Sequence, residues 1–127
     1  MERLKMKYED AVKACMTLRE IVQEPYSVIV RDAAIQRFEY TFEAVWKFAK
    51  EYLKETEGVV CNSPKSCFRE LFSLGYLEES ETEKFLFMTD RRNDTVHTYK
   101  QEFAEKIYNE IKGFYKSLQD LVEKFKF

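Results

Sequence analysis

Helical periodicity runs through nearly the whole chain and is seldom interrupted. The 127 residues include only three glycines and two prolines, and no segment sustains an alternation of apolar and polar residues. Apolar residues instead recur at steps of three and four, which is the spacing of one face of an α-helix. This pattern predicts an all-α fold.

Residues that commonly begin or end helices divide the pattern into five segments. Pro25 ends the first, Gly58 the second and Gly75 the third, which begins with Ser63 as N-cap and Pro64 in the first turn. The predicted helices are Arg3–Gln23, Val28–Glu57, the segment from Pro64 to Gly75, one opened by a capping box at Ser80–Glu83, and one from Gln101 to the C-terminus. They predict an up-and-down bundle of four long helices with an additional short helix, in a single domain over residues 1–127.

Charge and cysteine content limit the expected partners and compartment. The net charge is −2, whereas proteins that grip a nucleic-acid duplex are usually basic, so we expect no DNA duplex and only local RNA binding. No apolar run approaches the roughly 20 residues that span a bilayer, and the charged N-terminus is unlike a signal peptide. Cys15, Cys61 and Cys67 lack the paired spacing of zinc sites and are predicted to be ordinary intracellular thiols. The expected location is cytoplasmic.

The stretch Arg92–Tyr99 contains the only histidine of the chain, His97. On a helix, Asn93 and His97 would share a face, and the long side chain of Arg92 could reach the imidazole. Imidazole transfers protons near neutral pH, and a guanidinium binds phosphate and offsets charge that builds on phosphorus. These groups together suit metal-independent cleavage of RNA, in which a base deprotonates the ribose 2′-OH.

Simpler interpretations of the same residues stand beside this one. A lone histidine near a helix end more often interacts with the helix dipole or fills a half-buried position. One histidine also supplies a base or an acid but not both, so catalysis needs a symmetric dimer, which would double the charge of Arg91, Arg92 and Lys100. Tyr99 either packs at a helix end or serves as a nucleophile, a stacking surface or a nucleotide acceptor.

Other candidate sites are weaker. Glu39 and Glu43 lie one helical turn apart, but the EXXH signature of di-iron bundles is absent. Phe38, Phe42 and Trp46 are predicted to lie in the core. The sequence has no glycine-rich phosphate loop, nucleophile elbow or Cys–His pair at motif spacing. No metal and no cofactor are therefore expected.

The stretch Arg92–Tyr99 resembles the R-x4-H-x-Y signature of HEPN-domain proteins. Two further segments, Val30–Lys47 and Asn62–Lys65, are similar to the subgroup called nucleotidyltransferase substrate-binding proteins, which includes the HepT-type toxins. R-x4-H alone arises often by chance, but it becomes specific when these segments accompany it in this order. The resemblance extends from the first helix to the fifth.

The resemblance implies a HEPN-like bundle that forms a homodimer and acts as a metal-independent ribonuclease toxin. Its implied partner is a minimal nucleotidyltransferase (MNT), which neutralises the toxin by transferring AMP from ATP to the tyrosine of the motif. In this sequence, Arg92 would bind phosphate and His97 would act as general base or acid. Asn93 would orient the pair, and Tyr99 would accept AMP. Arg91 stands where the subgroup commonly has Asp, which leaves open which of the two arginines is the working one.

Two alternatives to a toxin follow from the same residues. The first is a non-catalytic subunit that binds a nucleotide or presents a substrate to the nucleotidyltransferase. In that subunit Arg92 and Tyr99 would hold phosphate and base, and His97 would be structural. The second is a helical dimerisation module in which the motif residues merely cap a helix.

Overall fold

A computed structural model describes residues 1–126, which fold into five α-helices and no strand. The helices are α1 (Glu2–Val22), α2 (Val28–Tyr52), α3 (Pro64–Ser73), α4 (Glu79–Asp94) and α5 (Gln101–Lys124). A π-helical turn, Leu53–Glu57, continues α2, and a 3₁₀ turn, Thr95–His97, continues α4. The predicted bundle of four long helices and one short helix is confirmed. Phe127, predicted to end the last helix, lies outside the described residues.

The core is built around α2, which contacts α1, α3 and α5. The rings of Phe38 on α2 and Phe114 on α5 stack at 5.2 Å, and those of Phe68 on α3 and Phe85 on α4 stack at 4.6 Å. Burying an aromatic side chain of this size contributes about 2–3 kcal/mol, so the first pair holds α5 against α2 and the second holds α4 against α3. All three aromatic residues predicted as core on α2 are buried: Phe38, Phe42 and Trp46. No helix within residues 1–126 is long and apolar enough to cross a membrane.

The helix ends follow the predicted caps with one exception. α3 begins directly after Ser63, and its C-terminal end is followed by Gly75, which has a left-handed φ of 84°. The predicted capping box at Ser80–Glu83 is wrong, because α4 already begins after Glu78. The Glu81 carboxylate accepts a hydrogen bond from the Glu78 N–H at 3.0 Å, which places the reciprocal cap two residues earlier.

The cysteines differ from the sequence prediction. Cys61 and Cys67 form a disulfide, with their Cα atoms 5.4 Å apart, where free thiols were expected. The loop before α3 folds back far enough to bring them together although they are six residues apart. Cys15 is the free cysteine and is buried, and burial raises the pKa of its thiol to about 12. A thiol in that state is a packing residue rather than a nucleophile.

Candidate functional site

The predicted motif lies where α4 ends and the chain turns into α5. The buried Thr95 hydroxyl donates to the Arg92 carbonyl at 2.7 Å, and the Thr98 hydroxyl donates to the Thr95 carbonyl at 2.8 Å. These bonds hold the 3₁₀ turn that carries His97. The expectation that Asn93 and His97 share one face of a single α-helix is therefore wrong, because α4 ends between them.

Arg92 reaches from α4 across to α2. Its Nη2 donates to the carboxylate of Glu43, and its guanidinium carbon lies 5.6 Å from the centroid of the Phe42 ring. Nη1 is 3.5 Å from the Asn93 side-chain oxygen, which makes that contact weak. Glu43 also lies 3.4 Å from the Lys47 ammonium group. The Arg92 side chain is 31% exposed, so the guanidinium is held in position and still has donors open to solvent.

Arg91 faces α5 instead. Its Nε donates to Glu110 at 2.8 Å, and its Nη1 lies 3.7 Å from the Asp94 carboxylate. The guanidinium carbon sits 4.7 Å from the centroid of the Phe87 ring, and only 16% of the side chain is exposed. Two carboxylates and a ring therefore occupy Arg91, and these contacts favour Arg92 as the arginine available to a ligand.

His97 and Tyr99 are both exposed on the turn. Their ring centroids are 6.4 Å apart in an edge-on arrangement, and the His97 ring is equally far from Phe103 on α5. Tyr99 is 75% exposed, and the Lys100 ammonium group lies 5.9 Å from its ring centroid. Within residues 1–126 of one chain, no hydrogen bond or ion pair joins His97 to Arg91 or Arg92. The structure thus places the predicted residues on one turn without direct contact between the arginine and the histidine.

Glu43 is the site residue that sequence reasoning missed. It was considered only as half of a metal pair with Glu39, and in residues 1–126 no three His, Cys, Asp or Glu side chains are grouped to hold a metal ion. Its actual partner, Arg92, is 49 residues away. The one available signal was its position directly after the core residue Phe42, which places it at the edge of the buried face of α2.

The sequence model of one protein family, described as "Nucleotidyltransferase substrate binding protein like", matches residues 6–126. The chain belongs to this family. A curated relative, probable ribonuclease HepT of Haemophilus influenzae, is 33% identical to this family member over 85 residues. That match covers 64% of the chain and 57% of the relative, so it extends over little more than half the length of the curated protein.

Two solved structures have the same fold as this family member. A protein from Thermus thermophilus is 40% identical, with a TM-score of 0.87 over 91% of this chain and 99% of that one. A tri-AMPylated HEPN toxin of Shewanella oneidensis, solved in complex with an MNT antitoxin, is 12% identical. Its TM-score is 0.76 over 95% of this chain and 94% of that one. At that identity the likeness shows the fold alone: this chain has the all-helical fold of that HEPN toxin.

Proposed function

We propose that this chain is the toxin of an MNT–HEPN toxin–antitoxin pair, a metal-independent ribonuclease that works in the cytoplasm as a homodimer. The observation that carries the proposal is the placement of Arg92, which Glu43 holds in position and which remains partly exposed beside the turn bearing His97. A guanidinium has five N–H donors, so Arg92 can keep its contact with Glu43 and still bind a phosphate.

The proposed reaction is an internal transesterification of RNA. His97 takes the proton from a ribose 2′-OH, and the 2′ oxygen attacks the neighbouring phosphorus, where Arg92 offsets the growing negative charge. The bond to the 5′ oxygen breaks and that oxygen takes up a proton, which leaves a 2′,3′-cyclic phosphate and a 5′-hydroxyl. Each chain supplies one histidine, so the proton donor is His97 of a second copy related by a two-fold axis. The exposed turn that bears Val96 and Tyr99 gives this second copy access.

We further propose that an MNT partner controls the activity through Tyr99. The phenol oxygen would attack the α-phosphorus of ATP, lose its proton and release pyrophosphate, which leaves AMP on the tyrosine. The high exposure of Tyr99 makes the phenol accessible to a partner enzyme. Because its ring lies close to that of His97, an attached nucleotide would place bulk and negative charge where the RNA phosphate must bind. The AMP-modified state of the Shewanella toxin supports this route.

The decisive experiment expresses the chain without a nucleotidyltransferase and incubates it with RNA in the presence of EDTA. We expect cleavage products with cyclic phosphate ends, and a loss of about 100-fold or more in rate for Arg92→Ala and for His97→Ala. Lys112→Ala, an exposed change on α5 away from the turn, is the control and should cleave normally. Equal cleavage by the parent protein and His97→Ala would contradict the assignment.

A second candidate is a non-catalytic nucleotide- or substrate-binding subunit of a nucleotidyltransferase complex. It is favoured by the family description and by the lack of contact between Arg92 and His97 within one chain. This candidate predicts ATP or AMP binding by the complex and no growth arrest when the chain is expressed alone. Expression with and without an MNT, followed by intact-mass measurement, separates the two candidates.

A further inference from the structure

A cavity between α1 and α2 gathers positive charge away from the turn that bears His97. Its volume is about 310 Å³, within the range of small-ligand sites. Five of the side chains that line it are cationic: Arg3, Lys7, Lys47, Lys50 and Lys54. Glu51 is the one acidic residue in the lining. The cavity therefore concentrates four net positive charges in a chain whose overall charge is −2.

Two side-chain atoms of the lining residues are buried and have no hydrogen-bond partner within residues 1–126. They are the indole nitrogen of Trp46 and one carboxylate oxygen of Glu51. Trp46 is only 9% exposed and Glu51 only 6%, and the other Glu51 oxygen pairs with Arg3 at 2.8 Å. Buried donors and acceptors are nearly always paired in folded proteins. Here both atoms are closed to solvent and out of reach of a ligand in the cavity, so the positive charge of the other lining residues indicates what the cavity binds: an anion such as a nucleic-acid phosphate.

The cavity is connected to the candidate site along α2. Lys47, in its lining, pairs with Glu43, and Glu43 pairs with Arg92. Lys47, Lys50 and Lys54 follow one another at steps of three and four, so they lie along one face of the helical segment. At 1.5 Å per residue, the path from Glu43 to Lys54 is about 16 Å long. A nucleic-acid strand that is bound at Arg92 and runs toward Lys54 therefore passes a row of cations.

We propose that this cavity is a second RNA subsite, which binds backbone phosphates of the strand whose scissile phosphate lies at Arg92. The inference rests on the proposed ribonuclease function and extends it. The lysines hold the phosphates. The subsite explains how an acidic chain retains RNA, because the local charge along the path of the strand is positive.

The test measures binding of a labelled single-stranded RNA by full-length protein carrying His97→Ala, so that the RNA stays intact. Fluorescence anisotropy between about 50 and 200 mM salt gives the slope of log K against log [salt]. We expect the double change Lys50→Gln/Lys54→Gln to reduce this slope by about 1.4, since each lost phosphate contact on a single strand removes about 0.7. Affinity at 0.1 M salt should fall by about tenfold or more. The matched control, Lys112→Gln/Lys116→Gln on α5, should leave both unchanged.

Melting temperatures recorded for every variant show whether a loss of binding comes from unfolding.

The outcomes distinguish this inference from the ribonuclease proposal. If the histidine-containing protein cleaves RNA and the two double variants show equal salt slopes, the subsite is wrong and the ribonuclease stands. If no RNA is cleaved but Lys50→Gln/Lys54→Gln alone shows a smaller salt slope, the cavity binds RNA and the ribonuclease proposal is wrong. ATP is measured in parallel as a probe. Tight ATP binding that this double change abolishes, with RNA binding unaffected, would overturn the assignment to RNA.

Discussion

The two sides of the C-terminal end of α4 carry neighbouring arginines in opposite situations. On the α5 side, Arg91 has two carboxylate partners and a ring beneath it, and is mostly covered. On the α2 side, Arg92 has a single carboxylate partner, Glu43, and twice the exposure. Glu43 in turn is shared with Lys47. The donors of Arg91 are therefore taken up by groups of the protein, whereas those of Arg92 remain available to a ligand.

The difference shows that residue type does not determine which arginine meets a ligand. A guanidinium whose donors are taken by fixed carboxylates cannot turn to a phosphate without leaving those carboxylates unpaired, which is costly when they are partly buried. A guanidinium with one partner can add a second. The geometry of α4 between two helices decides which arginine is free.

The largest expected effect separates the two arginines by activity. We expect Arg92→Ala to lower the rate of RNA cleavage by about 100-fold or more, and Arg91→Ala to change it by less than about tenfold. Arg92→Lys keeps the charge but loses the planar fork, and should recover only part of the rate. Initial rates on one RNA substrate at fixed enzyme concentration give the comparison. An equal loss in both alanine variants would break the distinction between the two arginines.

The next largest effect concerns stability, for which we expect Arg91 to matter more than Arg92. Arg91→Met should lower the free energy of unfolding by about 1–2 kcal/mol, because it removes a half-buried charged hydrogen bond and a cation–π contact. Arg92→Met should cost less than about 1 kcal/mol, since its ion pair is a third exposed. Urea unfolding followed by circular dichroism measures both. If Arg92→Met proved the more destabilising variant, Arg92 would be the structural residue.

Much of the fold could be predicted from the sequence, and the reasons are local. The helical spacing of apolar residues is visible within each segment. Two of the predicted boundaries, the start at Ser63–Pro64 and the stop at Gly75, match the ends of α3. The same holds for the core position of Phe38. The start of α4 was misplaced because Glu78 and Ser80 both precede a glutamate by three residues, and only the packed structure selects between them.

The site was less predictable because its contacts are distant in sequence. The motif pointed to Arg92 and His97 as site residues, but it left open whether Arg91 or Arg92 was available to a ligand. That depends on their carboxylate partners, Glu110 and Glu43, which lie on other helices. The Cys61–Cys67 disulfide was missed for a related reason. Its spacing matches no common motif, and only the path of the loop brings the two residues together.

A smaller effect is expected when the single partner of Arg92 loses its charge. Glu43→Gln keeps a hydrogen-bond acceptor but removes the negative charge that competes with phosphate, so RNA should bind several-fold more tightly to the His97→Ala protein. Glu110→Gln, the matched change beside Arg91, should leave RNA affinity unchanged and reduce stability instead. Anisotropy and urea unfolding on the same two variants give both readouts. Tighter RNA binding by Glu110→Gln would place Arg91 in the site.

The smallest effect extends the comparison to a third arginine, Arg31 on α2. Arg31 is buried and bonded to Glu105 at 3.0 Å and to Gln101 at 2.6 Å, so it resembles Arg91 in being fully occupied. A hydrogen bond from Tyr26, together with Arg31, lowers the pKa of Glu105 from its ordinary value of 4.5.

A carboxyl group with a lowered pKa in the folded state adds stability above the unfolded pKa, and this is lost as pH falls through the folded value. The parent protein should therefore lose more stability than Glu105→Gln between pH 6 and pH 3. Because the Glu105 side chain is 40% exposed, solvent screening keeps this difference small. Urea midpoints at both pH values measure it, with Glu102→Gln as the control on the same helix. Parallel losses in the parent and Glu105→Gln would mean that Asp32, Gln101 and packing suffice to hold Arg31, and that its ion pair with Glu105 adds no stability.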